Sequence, residues 1–444
     1  MLTLRRSLAG VMLLTLFWTP PAQSAGYDTP ILYSARHMGM GGTAIAFVRD
    51  GSAPFHNPAG LGNIGAGNLL VDVSMLTGHL VANPAPLGQS EYAYETKSNP
   101  TVAPFFLVGG GARLTDWMSL GMAFYPVASA GGVYEYNLMS PSIDKSGESP
   151  TPGFSETQSI YDETKIVFFE LAPTLAFNLP GNLRIGFSYR LSMIQMDRFQ
   201  GTPEDKGGAL SFELSGFNFA GYKVGLQWTP IEELEVGFVY RSETETVIEG
   251  TDAHFFIPHE NARTTFTHPD KFGLGVRGTL SPVSFAVDME YTFNSKVQKQ
   301  LFEFFSDPEG PVVELNNFAR WQDNLTLRFG AEYCIDLTPI GAEGHHLKPR
   351  VGYVYDGQVG SKAYPTAFGT PPTATQTITA GLGYQGSAWE VSLAYAFRYG
   401  AVSIDPTELP SDLDPNMDKC LACSKAGLYE IALHGIYADF SWDF

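Results

Sequence analysis

The sequence predicts an all-β protein, a 14-stranded antiparallel transmembrane β-barrel plugged by an N-terminal hatch. Three observations predict it. Period-2 alternation recurs along most of the chain, the links between alternating segments are short and long by turns, and the stretch before the first of them is Gly-rich and nearly uncharged. Composition agrees: 16% of residues are charged and 13% aromatic, whereas soluble domains carry about 25% charged residues. A net charge of -19 argues against nucleic acid as a partner, whose phosphates call for basic grooves.

Residues 1–25 read as a secretory signal peptide. Arg5 and Arg6 form the basic start, Val11 to Trp18 the apolar core, and Pro20 to Ala25 the small-residue exit. The apolar run is shorter than the roughly 20 residues of a membrane-spanning helix. An exported chain without another such run must enter a membrane as a barrel, where every backbone group finds a partner. Residues 26–66 are assigned to the hatch. Their core, Ser34 to Leu61, is rich in Gly and Ala, which suits a segment passing close to a wall. Asn57 precedes Pro58 and is therefore steered away from helix.

Residues 67–444 are assigned to the barrel. The alternation is clearest over Leu183 to Met196, where Ile185, Phe187, Tyr189, Leu191 and Met193 oppose Arg184, Gly186, Ser188, Arg190 and Ser192. Val283–Phe293, Leu325–Leu337 and Trp389–Tyr399 repeat it. The predicted strands are 68–80, 102–114, 117–127, 165–178, 183–196, 212–228, 233–247, 264–280, 283–296, 323–337, 348–356, 374–385, 388–399 and 427–444. Short links at Thr115-Asp116, Asn178–Asn182, Thr229–Glu233, Ser281-Pro282, 338–347 and Gln385–Ser387 alternate with long ones at 81–101, 128–163, 197–211, 248–263, 297–322, 357–373 and 400–426. Tight turns at one end and long loops at the other are the habit of outer-membrane barrels. The chain ends on Phe444 after a run of alternating apolar residues, which resembles the strand such proteins present to the barrel assembly machinery.

Of three cysteines, Cys420 and Cys423 are spaced for a local disulfide in an oxidising compartment, and Cys334 is expected to be free. No second CxxC or CxxH completes a zinc site, and His345-His346 lacks a nearby Cys or carboxylate cluster beyond Glu343 and reads as solvated, so no metal or cofactor is expected. No Gly-x-Ser-x-Gly elbow is present, which argues against a hydrolase of that type.

Ser34-Ala35-Arg36, Gly39-Met40-Gly41-Gly42, Asp50 and Asn57-Pro58-Ala59-Gly60-Leu61, at this spacing, resemble the FadL family. These are outer-membrane transporters of long-chain fatty acids, with relatives that import aromatic hydrocarbons. The motif covers about 30 residues, and the architecture covers the chain. Gly51 and Pro54 depart from the pattern, where relatives more often have an acidic or small non-proline residue. The resemblance implies hatch residues at Gly39, Gly41, Gly42, Asn57, Pro58 and Ala59. It implies capture of a hydrophobic small molecule by outside loops, passage through the barrel, and sideways exit into the membrane. It also implies a monomer among outer-membrane lipid and lipopolysaccharide.

A fatty-acid carboxylate would call for an inward cation. The alternation places Arg184, Arg190, Lys223, Arg241, Lys271, Arg277, Arg328, Arg350 and Arg398 inside, with Arg190, Lys271, Arg328 and Arg350 as the carboxylate candidates. Each is expected first to meet an inward acid such as Glu170, Glu235, Asp288, Glu290 or Glu332. Phe302, Phe304 and Phe305, in an unusually apolar loop, are candidates for first capture. A porin, an adhesive or structural barrel and a lipid hydrolase are the competing readings.

Overall fold

The computed structural model describes residues 33–84, 95–141, 154–202, 208–307, 309–410 and 424–444, the side chains of 128–130, 138–141 and 154–158 excepted. The signal peptide and Cys420 and Cys423 lie outside the described residues; Cys334 is free. Fourteen antiparallel strands close on themselves. In order they are β1 (Gly67–Ala82), β2 (Thr101–Thr115), β3 (Met118–Pro141), β4 (Phe154–Leu179), β5 (Leu183–Gly201), β6 (Leu210–Ile231), β7 (Leu234–Arg241), β8 (Lys271–Leu280), β9 (Val283–Thr292), β10 (Asn324–Tyr333), β11 (His346–Asp356), β12 (Thr375–Gln385), β13 (Trp389–Ile404) and β14 (Gly427–Asp443). The ring is completed by β14 on β1, from Asn68↔Asp443 to Val81↔Glu430. No described helix is long and apolar enough to cross a membrane.

Alternation sorts the two faces. On β14, Ile436, Phe440 and Trp442 are exposed outward, while Tyr437 and Asp439 are buried inward. At the long-loop end the strands outrun the sequence expectation. β3 and β4 continue through much of the 128–163 link, and β5 and β6 through much of the 197–211 link. The 248–263 link is a hairpin, Thr244–Phe255 with Ile257–His268, and the 297–322 link carries another, Lys299–Phe305 with Val313–Phe318. The two hairpins join through Asn261↔Phe305 to Thr264↔Phe302. In these stretches buried polar residues such as Thr246, His259, Thr264 and Gln300 interrupt the apolar face of Ile248, Phe255, Phe266, Phe302 and Phe304, so the alternation fades while the backbone ladder runs on.

The N-terminal segment holds two short helices, α1 (Ala35–Gly39) and α2 (Ala53–His56), and a 3-10 turn (Pro58–Asn63). It is buried almost throughout, and its backbone bonds to inward-facing wall side chains. Asp72 accepts from Ala35 N (3.1 Å), Asp439 from Arg36 N (3.0 Å), Asp288 from Ala44 N (2.7 Å) and Ile45 N (3.0 Å), and Asn68 from Gly51 N (2.6 Å). Both departures from the family pattern have a local reason. A Cβ on Gly51 would overlap the Gly109 backbone, and Pro54 occupies the first turn of α2, where its missing N–H is no loss.

Gly41 adopts φ 67°, and a Cβ there would overlap Phe329 O and Tyr353 N. On β11, a Cβ on Gly352 would overlap Gly41 itself, whereas one on Gly278 meets nothing within 4 Å. Gly352→Val is therefore expected to dislodge the segment at a cost of about 1–3 kcal/mol. Limited proteolysis should cut more rapidly between residues 33 and 64 in Gly352→Val than in wild type, and no faster in Gly278→Val.

Candidate functional site

At the long-loop end a cavity of about 150 Å³ lies between strand ends, the 299–318 hairpin and the 360–372 loop. Its apolar wall includes Ile166, Met196, Leu210, Phe212, Phe302 and Leu315. Those six belong to one continuous buried cluster that runs on through Phe168, Phe266, Ile194 and Ala172 to Leu107, Phe105, Tyr125, Val127 and Tyr33. An apolar tract thus leads from the mouth to one place in the wall.

That place is a window. β2 pairs with β1 from Gly67↔Ala112 to Gly78↔Thr101, and β3 pairs with β4 from Met118↔Phe177 to Pro141↔Phe154. β2 and β3 pair with each other only from Thr115↔Met118 to Val108↔Phe124. The two sides meet again where Asn99 N donates to Val133 O (2.8 Å). Between these closures the described residues Thr101–Leu107 and Tyr125–Gly132 have no ladder register to one another. Pro104 and Pro126 cannot donate to a ladder. Val127 is an extra residue, since the register with β4 slips between Pro126 and Ala128, and a bulge bends its strand.

The inner side of the window is filled by the N-terminal segment. Tyr33 Oη donates to Pro126 O (3.0 Å). Phe55 packs edge-on against Tyr33 (5.2 Å between centroids) and Tyr125 (5.0 Å). Lys223 Nζ donates to Pro54 O (3.0 Å) and Phe55 O (2.6 Å), which holds the turn that carries Phe55. Asn57 is the other fastening. Its Nδ2 donates to Ile45 O (2.7 Å), Leu226 O (3.1 Å) and Phe238 O (3.3 Å), while its Oδ1 accepts from Ala59 N (3.1 Å). One carboxamide so ties the segment to β6, to β7 and to itself. Pro58 and Ala59 lie against Gly186, and Gly39 against Gly381.

The candidate cations all face inward and meet protein acceptors. Arg190 binds Glu170 (2.7 Å) and Ser242 O (3.0 Å), and Tyr125 shares Glu170. Lys271 binds Glu290 (3.2 Å), as does Arg328. Arg350 binds Glu332 (2.8 Å) and Glu390. Phe302 lines the cavity, Phe304 packs behind it on Phe212 and Phe255, and Phe305 lies on the opposite face of its strand under Arg263. Sequence reasoning missed the window, the Asp72 and Asp439 acceptors, and the Arg198–Asp162 pair in the cavity. Prolines inside alternating segments, at 104 and 126, were the available sign of the window.

No family model matches the sequence, and no curated protein matches it either. Solved structures do. A Pseudomonas aeruginosa FadL homologue superposes with TM-score 0.69 at 15% identity, covering 95% of this chain and 100% of that one. The P. putida toluene transporter TodX gives 0.63 at 15% identity over 94% and 99%. The Ralstonia pickettii toluene transporter TbuX gives 0.57 at 15% over 93% and 98%. The chain shares their fold.

Two titratable groups sit beneath the window filling. Burial, reinforced by the neighbouring His37, pushes the His56 imidazole well below its usual range. Burial also raises Asp50, but His37, Arg36 and Ser52 outweigh it and hold the carboxyl well below the usual carboxylate range. His56 is thus neutral in the folded state, whereas the unfolded chain binds a proton below about pH 6.5. Its contribution is complete above that pH and declines as pH falls, by up to about 1.4 kcal/mol per unit. Asp50 adds a loss only below about pH 4. Thermal unfolding at pH 7.5 and pH 5.0 should show a drop in wild type that is smaller in His56→Gln.

Proposed function

We propose that this chain, which has the FadL-type barrel fold, admits hydrophobic small molecules passively across a bacterial outer membrane. The reading places residues 1–25 as a removed signal, residues 26–66 as a movable hatch, and residues 67–444 as the membrane-spanning barrel. Phe444 would be read by the assembly machinery, and the barrel would stand as a monomer among outer-membrane lipid and lipopolysaccharide. The observation that carries the reading is the unbroken apolar cluster from mouth cavity to wall window.

A molecule enters at the cavity and moves along side chains that compete poorly with it for water. It arrives at Tyr33, Phe55 and Tyr125. Straight descent would take it into a second cavity, lined by Arg36, Arg49, Asp50, Arg277, Glu332, Lys348 and Glu390, where an apolar solute gains nothing. Sideways lies the gap between β2 and β3 and, beyond it, lipid. Withdrawal of Tyr33 and Phe55 therefore connects the tract to the bilayer rather than to water. Long-chain fatty acids and aromatic hydrocarbons are the two classes the sequence resemblance implies. No catalytic step is invoked.

Deleting Val127 removes the extra residue of β3 and the slip at Pro126 in its register with β4, and is expected to let β3 zip onto β2. Uptake of labelled toluene and labelled oleate, in cells lacking their own transporter, is expected to fall to background in this variant while the barrel still assembles. Undiminished uptake of whichever solute wild type carries would reject the window as the exit.

A further inference from the structure

The mouth cavity is apolar on most of its surface, yet it carries one polar group with nothing to bind. Gln300 lines the cavity, is 7% exposed, and its Nε2 has no hydrogen-bond partner. The strand around it explains the placement. In Lys299–Phe305, Gln300, Phe302 and Phe304 are buried on one face, while Lys299, Leu301, Glu303 and Phe305 look the other way. A buried amide N–H without an acceptor costs about 1–3 kcal/mol, and an acceptor oxygen on a bound molecule would relieve that cost.

The charged side chains of the cavity point to what that ligand is not. Asp162 and Arg198 are the charged residues among its described lining. They are bonded to each other, with Arg198 13% and Asp162 2% exposed. Arg198 also donates to Glu163 O (2.8 Å) and Phe199 O (2.9 Å) and covers the Phe368 ring at 4.9 Å. Gln200 Nε2 (2.8 Å) and Tyr136 Oη (3.3 Å) also donate to Asp162. This cation is already spent on the protein, so a ligand carboxylate would have to break a buried pair to reach it. Size sets the remaining limit. A cavity of about 150 Å³ holds one benzene-sized ring.

Taking the cavity as the outer station of the proposed route, we infer that it selects an uncharged, single-ring-sized molecule bearing one hydroxyl or carbonyl oxygen, which Gln300 Nε2 recognises. Ile166, Met196, Phe212, Phe302 and Leu315 surround the ring. Gln300 is the specificity-determining residue, and it distinguishes an oxygenated ring from the bare hydrocarbon.

Equilibrium dialysis of the purified full chain against labelled p-cresol, toluene and octanoate tests this, with wild type and Gln300→Met, a variant of similar volume without the amide. Wild type should bind p-cresol most tightly and octanoate least. Gln300→Met should weaken p-cresol binding about 3- to 10-fold, the worth of one net hydrogen bond, and leave toluene unchanged. Retained toluene binding certifies that the variant is folded. Equal loss for p-cresol and toluene, no loss for p-cresol, or wild-type preference for octanoate would each overturn the inference. Uptake of the same solutes is read separately. Selective binding without uptake would sink the transport reading and leave the site standing, and uptake without Gln300-dependent selectivity would do the reverse.

Discussion

A barrel filled by an irregular segment has to satisfy that segment's peptide groups from the wall, and this constraint shapes the whole molecule. Between Tyr33 and Ile64 the chain has only short helical turns, and the N–H groups these turns do not pair, among them those of Ala35, Arg36, Ala44, Ile45 and Gly51, need acceptors from the wall. The wall answers with carboxylates and amides at inward positions, Asp72 and Asp439 on α1, Asp288 on Ala44 and Ile45, and Asn68 on Gly51. Buried carboxylates are costly without donors; here each has backbone donors as partners.

Apolar packing accompanies these bonds along the segment, Ala35 and Met38 on Ala394, Ala396 and Tyr437, and Met40, Ala46 and Phe47 on Ala286, and a cluster of aromatic rings gathers at one place. Tyr33 and Phe55 meet Tyr125 where β2 and β3 part. The segment is thus fastened by polar bonds over most of its length and sealed by aromatic rings at the window. Lys223 and Asn57 connect the two regimes, the first through the carbonyls of Pro54 and Phe55, the second through β6 and β7. In the proposed function, loosening the polar fastenings is the step that would free the aromatic seal.

The barrel was legible because a two-faced sheet writes its period directly into the chain. Leu183–Met196 shows it, and β5 begins at Leu183 as the alternation does. Legibility failed where polar residues share the buried face, as in the hairpin Thr244–Phe255 with Ile257–His268, in which Thr246, His259 and Thr264 are buried along with Ile248, Phe255 and Phe266 and the apolar period is broken. The inward cations could be placed by parity, but their partners could not, since Arg350 on β11 meets Glu332 on the adjacent β10 and Glu390 on β13, two strands away. Asp288 sat among the acids expected to pair cations, and it serves the backbone of Ala44 and Ile45 instead. The window escaped notice because an unpaired edge is a relation between strands; only Pro104 and Pro126 hint at it in one dimension.

The most direct test of the central claim is a reversible clamp across the window. Leu107→Cys with Tyr125→Cys, in a Cys334→Ser background, would bond β2 to β3 where their ladder stops. Uptake of labelled toluene should be lost when the clamp is oxidised and return on reduction. Uptake that persists with the clamp formed would contradict exit through the wall.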